Sequence, residues 1–157
     1  MTNMSVALTT AIRCLGGVLA LGLIVGCKSL PTLEQQAQLV QANNLVLDQI
    51  TTRAVVNAWG KPPLYHSEFS HFFVMPDFSV IPRSRVATGE APRGWKAGVH
   101  AGEGVYFAYP DRGWLLVFLD DRLVYKEELK AEELHALAKV WAYEDRFKTG
   151  LDEGSRP

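Results

Sequence analysis

Trp114-Leu115-Leu116-Val117-Phe118-Leu119-Asp120-Asp121-Arg122-Leu123-Val124-Tyr125 is the stretch on which the fold depends. Trp114 to Leu119 is the strongest strand in the chain, every residue being aliphatic or aromatic. Asp120-Asp121-Arg122 reads as a turn, and Leu123-Val124-Tyr125 as a returning strand. The two-residue period places Trp114, Leu116 and Phe118 on one face and Leu115, Val117 and Leu119 on the other. Both rows are apolar. Helices can cover one; the other has to be covered by a loop, the last helix or a partner, and burial of both within the chain is the simpler expectation.

Working outward, Val105 to Tyr109 is a β-branched and aromatic run, joined to Trp114 by the turn Pro110-Asp111-Arg112-Gly113. Connections this short imply an antiparallel meander. Downstream, Leu134, Leu137, Ala138 and Trp141 fall at i, i+3, i+4 and i+7 and predict an amphipathic helix over about Leu129–Phe147. Residues 149–157, with two Gly and a terminal Pro, read as a flexible tail. Upstream, Thr51 caps a short helix that carries Val55 and Trp59. Gly60 suits the left-handed position past its end, and Pro62-Pro63 forbids continuation. Thr32-Leu33-Glu34-Gln35 fits a capping box that opens a weak helix to about Ala42. Tyr65 to Met75 carries strand residues. From Pro76 to Gly104, Pro and Gly interrupt every period, so a long loop is expected, with a short strand at Phe78–Ile81. The predicted fold is therefore a small two-layer α+β domain over residues 45–148, with helices on a short antiparallel β-meander and a C-terminal amphipathic helix.

The N-terminal segment has a different character. Residues 1–26 contain no acid and a single base, Arg13. Between Arg13 and Lys28 lie 14 uncharged residues, four of them Gly. A membrane span needs about 20 apolar residues, so residues 1–26 read as a signal peptide. Its end, Ile24-Val25-Gly26-Cys27, resembles the bacterial lipobox. That resemblance implies cleavage between Gly26 and Cys27 and covalent lipid on Cys27. It also makes residues 27–44 a tether with a weak helix, and gives the chain a membrane attachment through acyl chains. Lys28 rather than Asp after the cysteine favours the outer membrane, facing the periplasm, if enterobacterial sorting applies.

A second resemblance lies further on. Ile50-Thr51-Thr52-Arg53-Ala54-Val55-Val56-Asn57-Ala58-Trp59-Gly60-Lys61-Pro62 is similar to the helix-then-Gly-x-Pro signature of the SmpA/OmlA (BamE-like) outer-membrane lipoproteins. Thr51 matches the cap, Val55 the buried aliphatic, Trp59 the usual Leu, and Gly60 and Pro62 the stop. Leu115 to Val124, with Phe118, Asp120 and Asp121, resembles that family's strand, acidic turn and returning strand. Gln49 stands where the family commonly has Gly, the turn lacks its usual Gly, and the stretch 76–104 looks like an insertion. The resemblance implies two helices against about three antiparallel strands. It also implies a part in outer-membrane protein assembly, with the β-barrel assembly machinery as partner.

No catalytic constellation is visible, and an enzyme is not expected. His66 and His71, five apart with Glu68 between, face opposite ways on a strand and read as a surface histidine pair rather than a metal site. Gly102-Glu103-Gly104 lacks the following helix that a dinucleotide site requires. No serine has a nucleophile context. Loss of Cys14 with the signal leaves Cys27 as the only mature cysteine, so neither a disulfide nor a Cys-based zinc site is expected. No cofactor beyond the lipid is expected either. The whole chain carries 16 basic and 17 acidic residues, net −1. A balance this near neutrality gives no electrostatic footprint for nucleic acid. The candidate partner surface is the basic loop with its tryptophan: Arg83, Arg85, Arg93, Trp95 and Lys96. The leading expectation is a lipid-anchored scaffold that binds other envelope proteins. A module for phospholipid headgroups or peptidoglycan, and an inhibitor or immunity-type lipoprotein, are the alternatives.

Overall fold

A computed structural model of the chain describes residues 30–96 and 99–154, of which 99 and 146–154 are described by their backbone alone. Gly26 and Cys27 lie outside the described residues, as do 155–157 at the end of the expected tail. The elements run α1 (Leu33–Gln41), α2 (Thr52–Trp59), β1 (Leu64–Val74), β2 (Val80–Pro82), β3 (Val99–Tyr109), β4 (Trp114–Leu119), β5 (Arg122–Glu128) and α3 (Ala131–Gly154). The fold is mixed α+β. Among the described residues, no helix is long and apolar enough to cross a membrane.

The sheet is antiparallel throughout, in the order β2-β1-β3-β4-β5. The expected meander is its β3-β4-β5 half. β1 stands where strand residues were expected, but the start of β3 was expected as loop: β3 begins at Val99, so residues 99–104 are strand and pair with β1 from Phe73 to Glu68. Gly102 and Gly104 are there because a side chain would collide. A Cβ on Gly104 would lie 3.0 Å from Tyr106 Cε2 and 3.3 Å from Phe72 Cζ, and glycine in a strand commonly marks such an approach. The short strand expected at 78–81 is β2, displaced to Val80–Pro82.

β4 explains the layering. Leu115, Leu116, Val117 and Phe118 are all 0 % exposed, and full burial stabilises each by about 1.5–3 kcal/mol. One row, Leu116 and Phe118, packs with Phe107, Tyr109 and Leu123 against Val40, Ala54 and Val55 of α1 and α2. The other, Leu115, Val117 and Leu119, packs with Phe72 and Tyr106 against Leu134 and Trp141 of α3. Helices therefore cover both faces, which corrects the two-layer expectation: a strand apolar on both sides needs two covers. The sheet also curls around the α3 side. Arg85, just past β2, donates to Glu127 of β5 at 2.8 and 3.2 Å, linking the two edges. α3 itself runs on to Gly154, so most of the segment expected as tail is helical.

The helix caps are built as the sequence suggests and then joined. Thr32 and Gln35 form the capping box of α1. Thr51 Oγ1 accepts from Ala54 N at 3.3 Å. Gln36, 4 % exposed, ties the helices together. Its Oε1 accepts from Thr51 N and Oγ1 at 3.0 and 2.9 Å, and its Nε2 donates to Pro31 O at 2.7 Å. Asp121 completes the cap, because its Oδ1 accepts from Thr52 N and Oγ1 at 3.0 and 2.5 Å. Asp120 and Asp121 have φ of 49° and 57°, as the tight β4–β5 turn requires. Gly60, φ 84°, ends α2 with its N–H on Val56 O. Thr51→Ala removes the cap and one donor to buried Gln36. It is expected to lower the unfolding free energy by about 1–2 kcal/mol, read from urea denaturation.

Candidate functional site

Two places on β1 have functional geometry, one on each face of the strand. Its odd-numbered residues face the α1/α2 side, but those helices pack over β3, β4 and β5 and leave β1 bare. Tyr65 is 58 % and Phe69 71 % exposed. Tyr65 leans on Phe107 with ring centroids 6.0 Å apart, and Phe69 meets His71 edge-on at 6.0 Å. Among the described residues, β2 pairs with β1 only from Phe72 to Val74. The strand edge from Leu64 to His71 is therefore open beside the aromatic strip.

The expected partner surface divides at the end of this strip. Trp95 packs edge-on against Phe73 at 5.2 Å, and its neighbour Lys96 donates its backbone N–H to Val74 O at 2.9 Å. The Arg83 guanidinium stands 5.6 Å from the Phe73 ring centroid, and Lys96 Nζ stands 4.5 Å from that of Phe78. Such cation–π contacts hold the basic groups on aromatic faces. His71, Phe72, Phe73 and Arg83 line a half-open pocket of about 270 Å³ here. Arg85 does not join them. It is held on the opposite face by Glu127, whose carboxylate raises the guanidinium above its ordinary value. Arg93 lies in an exposed turn before Gly94. Thus Arg83, Trp95 and Lys96 gather, while Arg85 and Arg93 stand apart. The motif residues are structural: Val55 and Phe118 are core, Trp59 stacks edge-on on Tyr109 at 5.2 Å, and Asp121 caps α2. Pro62 follows Gly60 in the turn that leads into β1.

The even-numbered residues of β1 face α3. His66 is 1 % exposed, which corrects the surface histidine pair: His66 is interior and His71 lies exposed on the other face. The His66 ring is stacked on Trp141 at 5.3 Å with 4° between planes. Its Nε2 lies 3.5 Å from Glu68 Oε2 and 3.8 Å from Glu144 Oε2, and its Nδ1 lies 3.6 Å from Asp145 Oδ1. Among the described residues, neither ring nitrogen has a hydrogen-bond partner. Glu68 is held from behind, since Ser70 Oγ donates to its Oε1 at 2.8 Å and also meets Tyr106 Oη at 2.8 Å. Burial raises the Tyr106 phenol above its ordinary value. A pocket of about 270 Å³ lined by Glu68, Ser84, Tyr106, Trp141 and Glu144 adjoins the cluster.

Sequence reasoning missed this assembly. Its strand half was legible, because His66, Glu68 and Ser70 alternate on one face. The helix half was legible as a face too, with Trp141, Glu144 and Asp145 at i, i+3 and i+4. Nothing in the sequence brings the two together. No family model, no curated protein and no solved structure matches the chain.

Proposed function

We propose that the chain is a lipid-anchored periplasmic scaffold of the bacterial outer membrane, binding another envelope protein through the exposed face and open edge of β1. The observation that carries this reading is the uncovered aromatic strip, Tyr65 at 58 % and Phe69 at 71 % exposure. Large aromatics left bare along one sheet face are characteristic of interaction sites. The unpaired edge beside them suits strand addition by an extended partner segment. Attachment through lipid on Cys27 rests on the lipobox resemblance. The assignment to an accessory of outer-membrane protein assembly rests on the BamE-like stretches. Support for those stretches is that Thr51–Thr52 from one and Asp121 from the other meet in a single helix cap. The headgroup reading has less support, because Arg85 is neutralised by Glu127 and both Arg83 and Lys96 face aromatic rings.

The test is co-purification of the C-terminally tagged full chain in mild detergent, comparing wild type with the Tyr65→Ser/Phe69→Ser double variant. A central aromatic anchor contributes about 2 kcal/mol or more, so recovery of a stoichiometric envelope partner is expected to fall at least tenfold. Helical and strand circular dichroism should be unchanged. Undiminished recovery would remove the strip from the interface.

A further inference from the structure

We infer that His66, Glu68 and Glu144 bind one divalent transition-metal ion of the Zn²⁺ class, with Asp145 as the outer carboxylate that orients the histidine. The site is separate from the strip, on the opposite face of β1, and does not depend on the scaffold reading.

Four observations converge. First, the three ligand atoms lie within 4.8 Å of one another. The Nε2–Oε2 separations of 3.5 and 3.8 Å are too long for hydrogen bonds. They suit ligands at about 2.1 Å from a shared tetrahedral ion, whose spacing is about 3.4 Å. Second, His66 is buried with both ring nitrogens unpartnered among the described residues. An unpartnered polar group at such depth is costly, and a metal at Nε2 would give that nitrogen a partner. Third, Nδ1 points at Asp145 Oδ1, 3.6 Å away. A ligating histidine commonly gives its second N–H to a carboxylate, which fixes the tautomer. Fourth, the ligands are held in place. Trp141 stacks on the ring, and Ser70 takes Glu68 Oε1 and leaves Oε2 facing His66. Charge also balances, since Glu68 and Glu144 neutralise a dication while imidazole stays neutral. The adjoining pocket has room for water or a small ligand to complete the coordination shell. Imidazole with carboxylates suits zinc and its neighbours better than calcium or magnesium, which take oxygen.

The full chain, purified in mild detergent and stripped with EDTA, is titrated calorimetrically with Zn²⁺ and spectroscopically with Co²⁺. One equivalent should bind, and Co²⁺ should develop the visible absorption of a four- or five-coordinate nitrogen–oxygen site. His66→Gln and Glu144→Gln should each lower affinity at least tenfold, and Asp145→Asn about tenfold. The Glu144 side chain is 43 % exposed, so Glu144→Gln keeps the fold and remains decisive if His66→Gln does not fold. Absence of saturable binding by wild type, or affinity unchanged in Glu144→Gln, overturns the site. The cluster would then be a buried histidine held among carboxylates with no metal.

Discussion

Cys27→Ser is expected to abolish membrane retention and to leave an unprocessed precursor. The sulfur is where the lipobox resemblance puts the diacylglycerol, and the same resemblance implies cleavage before residue 27 only after that modification. Each buried CH₂ contributes about 0.8 kcal/mol, and a single chain holds a protein only marginally, with an association constant of about 10⁴ M⁻¹. Loss of all chains therefore moves the partition by many orders of magnitude. The check is fractionation of cells with the tag at the C-terminus, together with the mass of the mature N-terminus. Maturation and membrane retention by the serine variant would remove the lipid from the account. The outcome also bears on the scaffold reading, because the tether between Cys27 and α1 is short. Gln36 Nε2 donates to Pro31 O at 2.7 Å, and only three residues separate Pro31 from Cys27 in the sequence.

Phe118→Ala should be the most damaging single change in the domain, lowering the unfolding free energy by about 3–5 kcal/mol. Phe118 is 0 % exposed and packs against Phe107 with ring centroids 5.0 Å apart and planes at 55°. It sits where β4 meets α1 and α2, and the β4–β5 bulge between Val117 and Phe118 fixes its place in the register. The cavity cannot collapse easily, because β3 and β5 hold β4 on either side. Domains of this size are stable by about 5–15 kcal/mol, so about a fifth or more of the total is at stake. Urea denaturation followed by tryptophan fluorescence measures it. A cost below about 1 kcal/mol would show that the α1/α2 layer is not fastened through this residue.

What the sequence made legible follows from how local each signal is. The caps at Thr32 and Thr51 and the stop at Gly60 involve residues within a turn of one another, and all three stand where expected. β4 was legible because six successive large apolar residues have no other use. The start of β3 was not, because Gly102 and Gly104 read as chain breakers. Their reason lies in the close approach of Leu119, Tyr106 and Phe72, and Leu119 and Phe72 come from other strands. Asp121 read as a turn residue, and its second task as a cap for α2 requires the folded chain. The His66 cluster was hidden for the same reason. Two of its carboxylates sit on α3, and their nearness to β1 is a product of the curl of the sheet.

β1 carries a consequence for how this protein can change. Tyr65, Ser67, Phe69 and His71 alternate with Leu64, His66, Glu68, Ser70 and Phe72, and ten successive pairings from Leu64↔Ala108 to Phe73↔Val99 hold that alternation in place. Adding or deleting one residue inside the strand would send aromatic rings toward Trp141 and the Glu68 carboxylate out to solvent. The connection from Val86 to Lys96, beyond β2 and Arg85, has no such parity. Lengthening it alters a crossover but exchanges nothing between the two sides. Length variation among descendants of this chain should therefore accumulate between β2 and β3, while β1 itself keeps its residue count even where its individual side chains drift.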